Sequence, residues 1–407
     1  MKKILFTVLT MLTLSASSFS APIVESIELK GLKRVKEELV YKELLLKVGD
    51  EFDDVKLKKS IRNLMNTHLF YKIKPEIEKH DDKVKLKLNF KERYSLIPLP
   101  KIRLKSNGSV RAGIEVRDYN FRGRGDRASI LFTKWFGKDR DNGERVSASL
   151  LLYKFWKNRY NLLIGADYEK TYDNELYQDK VLESVYDFEN YRANFGVQKY
   201  LDPYKVKSIY VGLAPELSSF DVKKGKEIKD KFQNYLVTSF NYDLTTDRVY
   251  YITGYRWGIG IKYAEPIFSD TSTGTLTAYF KNYSHFAKED NLIISIRGGT
   301  KFGYSGKEFL ISAGIPGYSN ERQTGKRYVY TSAEYRTNII NKWLYVAPSI
   351  IIGDGFDNLP DDLLVSFGFE IESFWAKLSD GIIKLKVYRG TGRTSETKTL
   401  FKVSFRW

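Results

Sequence analysis

The chain has 407 residues, a formal net charge of +17, no cysteine, and 29 Tyr, 25 Phe and 6 Trp. That length suits one large domain and one small one, and the missing cysteines exclude disulfides and thiolate metal sites. Its basic residues are spread along the chain rather than gathered in a tail or on one helix face, which argues against a nucleic-acid partner.

Lys2 and Lys3 precede an apolar run from Ile4 to Leu14 and then small residues up to Ala21. Residues 1–20 therefore read as a secretory signal peptide, because the run is too short to span a bilayer comfortably. After Leu14 no stretch approaches the roughly 20 apolar residues of a membrane helix. Membrane strands stay open, because they carry apolar residues only at alternate positions.

Residues 22–93 read as strand, helix, helix, strand, strand. Val24 to Leu29 forms the first strand, ending at Gly31. Glu37 to Leu46 forms a helix that stops near Gly49. Asp53 or Asp54 caps a second helix, with Val55, Leu57, Ile61, Leu64 and Met65 at helical spacing. Tyr71 to Glu78 and Val84 to Phe90 then alternate as strands. Residues 94–99, with Pro98, read as a short stiff linker, and the next unit begins at Pro100.

From residue 100 to 407 amphipathic strands alternate with turns. Tyr255, Trp257, Ile259, Ile261 and Tyr263 oppose Arg256, Gly258, Gly260 and Lys262. Val365, Phe367, Phe369 and Ile371 oppose Ser366, Gly368, Glu370 and Glu372. Ile383, Leu385 and Val387 oppose Lys384, Lys386 and Tyr388. An apolar, aromatic row backed by charge and glycine is the pattern of a membrane barrel, and about 16 such segments occur, an even number as expected. A soluble sandwich would place fewer charges on the second row. The expected fold is an all-β transmembrane barrel of antiparallel strands behind a small α+β domain. Short connections at Arg122 to Gly125, Trp156 to Asn158, Asp202 to Lys205 and Asn341 to Trp343 read as inner turns. Longer ones at Lys170 to Tyr186, Asp221 to Lys231, Ser305 to Lys326 and Gly390 to Lys398 read as outer loops. The final strand carries Phe401, Val403, Phe405 and Trp407 on one face, an aromatic terminus that reads as an outer-membrane insertion signal.

Little points to catalysis. His68, His80 and His285 have no metal-ligand spacing. Ser284 and His285 are neighbours on a strand, so they face opposite ways. No nucleophile elbow or nucleotide loop is present. Asp354, Asp357, Asp361 and Asp362 lack calcium-loop spacing. No catalytic residue, metal or cofactor is expected.

Residues 22–93, through their element order, Gly31, Gly49 and the segment HLFYKIKPEIE, resemble a POTRA domain. The rest resembles the BamA/TamA superfamily of outer-membrane barrels, also called the bacterial surface antigen family. Asn120, Gly123 and Gly125 in RDYNFRGRGDR are similar to its inner turn between the second and third strands, and Tyr242 to Gly254 to its turn between strands eight and nine. Ile315, Pro316, Gly317 and Tyr318 resemble the tip of its sixth outer loop, which folds into the lumen, with Pro316 where the family has arginine. Asp354 with Gly355 is similar to the acidic group on strand thirteen that this arginine meets, so Arg322 or Arg327 is the expected substitute partner.

The resemblance implies a non-enzymatic assembly or translocation factor in the cell outer membrane, with its POTRA domain in the periplasm. That domain would receive unfolded outer-membrane or secreted proteins and periplasmic partners. The barrel would insert or pass its substrate through a weak seam between its first and last strands. The alternative is a surface-exposed barrel or pore without insertase activity. Outer-membrane lipids and lipopolysaccharide are the expected counter-charges for the basic surface.

Overall fold

The computed structural model describes residues 21–402, except residues 105–109, 138–141, 157, 179–180, 288, 304–310, 313, 317, 319–323, 361–362, 378–380 and 392–396. The signal-peptide reading and Val403, Phe405 and Trp407 lie outside the described residues.

The leading domain follows the expected order. Its strands are Ile23–Lys30, Phe70–His80 and Lys83–Glu92, and its helices are Glu37–Glu43 and Asp54–Met65. The last strand is central, parallel to the first and antiparallel to the second. The first helix stops at Glu43 because Leu44 is extended (φ −72°, ψ 132°). Asp53 caps the second helix by accepting from Val55 N at 2.7 Å and Lys56 N at 3.3 Å, satisfying donors a helix start leaves open. Leu39, Val40, Leu57, Leu64, Leu86 and Leu88 fill the core between helices and sheet. Ile97, Leu99 and Tyr119 belong to the same cluster, so this core continues into the foot of the barrel.

Sixteen strands close the barrel antiparallel, the two-residue strand Thr246–Asp247 being an appendage of an inner turn. Side chains alternate as the sequence predicts. Ile130 (64% exposed), Phe132 (46%), Phe367 (53%) and Phe369 (45%) face outward, while Ser366, Glu370 and Glu372 are buried on the inner row.

Two expectations change. Residues 94–99 are not a linker: the first barrel strand is Leu96–Leu104 and pairs with Val110–Phe121 from Leu96 onward. Lys170 to Tyr186 is not a loop, because the fifth and sixth strands run over Tyr160–Gln178 and Val181–Tyr200. Asp221 likewise belongs to the seventh strand, Lys207–Gly225. At about 3.3 Å per residue and about 40° of tilt, twenty residues rise about 50 Å, against an apolar band of about 25 Å. Above that band the alternation inverts. Outward positions become Ser219 and Asp221, and the Phe188 and Phe220 rings pack tilted at 5.3 Å on the inward row. Without lipid outside, water selects the charged outer face.

Candidate functional site

The inner turn holding Asn120, Gly123 and Gly125 is where the leading domain meets the barrel. Gly123 (φ +76°) and Gly125 (φ +78°) take a backbone conformation that L side chains avoid. Asn120 Oδ1 accepts from Gly125 N at 2.9 Å, and its Nδ2 donates to the Arg34 carbonyl at 3.1 Å. Lys36 N donates to the Gly123 carbonyl at 2.9 Å. A Cβ on Gly123 would lie 2.8 Å from the Arg34 carbonyl oxygen, so glycine serves both the turn and the approach.

Behind this turn sits a buried ionic cluster. Glu43, at the end of the first helix, is 1% exposed. It accepts from Tyr153 Oη at 2.6 Å, lies 3.0 Å from Lys154 Nζ and pairs with Lys205. Lys154 Nζ also donates to the Lys42 carbonyl at 2.6 Å. Tyr153 and Lys154 end the fourth strand and Lys205 belongs to the turn after the sixth, so one carboxylate binds two sides of the mouth.

The second helix closes the remainder. Arg62 donates to the Asp243 carbonyl at 3.2 Å, and Asn66 Nδ2 to the Thr245 carbonyl at 3.0 Å. Asn66 Oδ1 accepts from Asp247 N at 2.9 Å. His68 Nδ1 lies 2.8 Å from Asp247 Oδ2, with Arg93 at 3.7 Å. Burial alone would raise the Asp247 carboxyl, yet His68 and Arg93 hold it far below the usual carboxylate range. Between helix and lumen lies a polar cavity of about 420 Å³, lined by Arg62, Asn63, Arg127, Tyr200 and Lys205 among others. The leading domain thus caps the inner mouth through polar contacts around a cavity.

The first strand has an unusual edge. Tyr119 N donates to the Ser95 carbonyl at 3.0 Å. Antiparallel residues alternate between bonding one neighbour and the other, so this rung fixes the phase. Ile97 and Leu99 bond the second strand, whereas Leu96, Pro98 and Pro100 turn their backbone groups away from it, to the edge on which Arg103 and Leu104 meet the closing strand Thr397–Lys402. Proline has no N–H to give there. Among the described residues this seam pairs Phe401 with Leu104 and Lys402 with Arg103.

The sixth outer loop turns inward. Ile315 and Tyr318 are buried with Leu364 against Tyr328, Tyr330 and Ile351. The Tyr318 hydroxyl accepts from Val365 N at 3.0 Å and Thr391 N at 2.9 Å, and lies 2.7 Å from both the Val365 and Thr391 carbonyls. One phenol therefore joins the outer ends of two neighbouring strands. Tyr318→Phe takes this acceptor from the half-buried Val365 N–H, while Thr391 N keeps the Val365 carbonyl at 2.9 Å, at a cost of about 0.5–1.5 kcal/mol. Limited proteolysis should then cut the loop faster than in the wild type while the barrel keeps its resistance to unfolding in detergent; an unchanged cleavage rate would remove this role.

Comparison with known proteins bears on this architecture. Residues 22–93 match the POTRA family, described as surface antigen variable number repeat. The chain is 29% identical over 168 residues to a putative outer membrane protein assembly factor of Treponema pallidum, covering 37% of this chain and 18% of that protein. It superposes on BamA from Haemophilus ducreyi lacking POTRA domains 1–3 with a TM-score of 0.55, at 15% identity, covering 93% of this chain and 83% of that one. With CdiB from Escherichia coli the TM-score is 0.67, at 8% identity, covering 94% and 75%. Residues 22–93 thus match the POTRA family, and the barrel that follows shares the fold of BamA and CdiB.

With Pro316 at its tip, the loop is held through Tyr318. Gly317 lies outside the described residues. Asp354 is buried and stands opposite Val329 in the register, while Gly353 and Gly355 share the row of Tyr328 and Tyr330. Arg327 does not serve as the substitute partner: its guanidinium donates to the Asn358 carbonyl at 3.2 Å. Arg322 lies outside the described residues.

The lumen wall beneath this loop carries a network that the sequence reading left unassigned. Glu370 pairs across the register with Lys386, and Glu372 with Lys384. Arg336 lies 2.6 Å from Glu372, stacks 3.4 Å over Tyr345 and donates to the Tyr250 carbonyl at 2.7 Å. Glu334, Glu370 and Glu372 approach closely enough to suggest a metal, but Arg336, Lys384 and Lys386 already supply cations. An acidic pair spaced by two facing a basic pair spaced by two was the available signal. His285, singled out from the sequence, stacks on Tyr251 at 3.8 Å with its Nδ1 3.0 Å from the Asp290 carbonyl.

Proposed function

We propose that this protein is a non-enzymatic assembly or translocation factor. It receives unfolded outer-membrane or secreted chains at its POTRA domain and inserts or passes them at the seam between the first and last strands. The observation that carries this reading is the edge of the first strand, where Pro98 and Pro100 turn away from the second strand with no N–H to offer. Missing donors weaken pairing at this end of the seam, so the strands part there first, and the edge beyond Pro100, which keeps its N–H groups, is then open to a β-strand. The capped mouth supports the same reading over a simple pore, because the POTRA domain stands across the lumen entrance.

Depletion tests it. Loss of the protein should lower the amounts of several outer-membrane or surface proteins. Unchanged amounts, together with robust single-channel conductance of the purified barrel, would support the pore instead.

A further inference from the structure

We infer that the foot of the barrel carries a binding site for an anionic phospholipid of the periplasmic leaflet. A groove of about 600 Å³ opens where the turn before the thirteenth strand and the end of the fourteenth meet the base of the POTRA domain. Its wall is aromatic: Trp343, Trp375 and Tyr94 are 49%, 55% and 63% exposed. Trp375 continues the outward row of Phe367, Phe369 and Ile371, so the groove is continuous with the lipid-facing wall. Rings of this kind settle at the level of the headgroups. Its floor is the Tyr71–Tyr250 hydroxyl pair, 2.9 Å apart, which links POTRA to barrel.

Two lysines line the rim. Lys342 lies 2.9 Å from Glu289 and 4.9 Å over the Tyr250 ring, yet stays half exposed. Lys377 is exposed, and its carbonyl accepts from Tyr94 N at 2.9 Å. Apolar wall, headgroup depth and two ammonium groups fit an acyl chain with a phosphate above it. A soluble peptide would need the aromatic rings to face water, whereas here they run on into the membrane surface. Because Tyr71 and Tyr94 form one wall, a bound lipid would wedge against the base of the POTRA domain.

The test is native mass spectrometry of the full chain in detergent with phosphatidylglycerol or phosphatidylethanolamine added. Phosphatidylglycerol should be retained preferentially. A lysine at an anionic surface contributes about fivefold in affinity, so Lys342→Ala with Lys377→Ala should weaken retention at least about fivefold, Lys342 adding less because its ammonium already pairs with Glu289. Lys377→Ala alone, at an exposed position, should cost about fivefold and covers the case in which the double variant does not fold. Inorganic phosphate at equal concentration should not displace the lipid. Equal retention of both lipids, retention unaffected by the lysine changes, or displacement by phosphate would each overturn the assignment.

Discussion

Replacing Glu43 with alanine is expected to loosen the POTRA domain at this part of the barrel mouth, while the apolar core shared through Ile97, Leu99 and Tyr119 still tethers it. The change leaves Lys154 and Lys205 buried beside each other without their shared carboxylate. Removing one partner of a buried ionic group costs about 3–5 kcal/mol, more than the remaining hydrogen bonds across this interface contribute singly, at about 0.5–1.5 kcal/mol each. In planar bilayers the wild-type barrel should conduct little and Glu43→Ala should conduct readily, with the second POTRA helix becoming open to protease. Conductance and protection equal to the wild type would mean that the cluster does not hold the cap. The pH dependence has a definite sign. Burial pulls Lys205 down to about 8 from its ordinary 10.5, with Lys154 acting the same way and Glu43 opposing. A released Lys205 keeps its proton up to its ordinary value, so between the two the released state binds more protons. Docking at this site is therefore favoured as pH rises through that window, and wild-type conductance should fall rather than rise.

Much of this architecture was legible because lipid and water impose opposite demands on alternate residues. Val365 to Glu372 and Ile383 to Tyr388 announced both rows of their strands, and the glycines of Asn120 to Gly125 announced their turn. The reading failed where that demand ends. Lys170 to Tyr186 looked like a loop because outside the membrane the apolar row moves inward, to Tyr186 and Phe188. Residues 94–99 looked like a linker because proline usually opposes strand pairing. Here Pro98 and Pro100 occupy positions whose nitrogen faces the seam rather than the second strand. Glu43 was invisible for another reason. On a helix among lysines a glutamate reads as solvated, and Tyr153, its hydrogen-bond donor, is 110 residues away in sequence. The Glu370–Lys386 and Glu372–Lys384 pairs, by contrast, needed only the register of two adjacent strands.

Locking the first strand to the last is expected to abolish function outright. Leu104 and Phe401 exchange backbone bonds in the phase set by the Ser95–Tyr119 rung, so Arg103 and Lys402 form the wider-ladder pair next to them. Such non-hydrogen-bonded pairs bring Cα atoms to about 4.5 Å, within the range a disulfide accepts. The natural chain has no cysteine, so Arg103→Cys with Lys402→Cys offers a single bond within the chain. The direct measurement is the rate at which newly made outer-membrane proteins reach their folded form in cells whose sole copy carries this pair, oxidised and then reduced. A strand inserted at the seam predicts arrest when oxidised and recovery on reduction; assembly at the wild-type rate with the disulfide fully formed would contradict it.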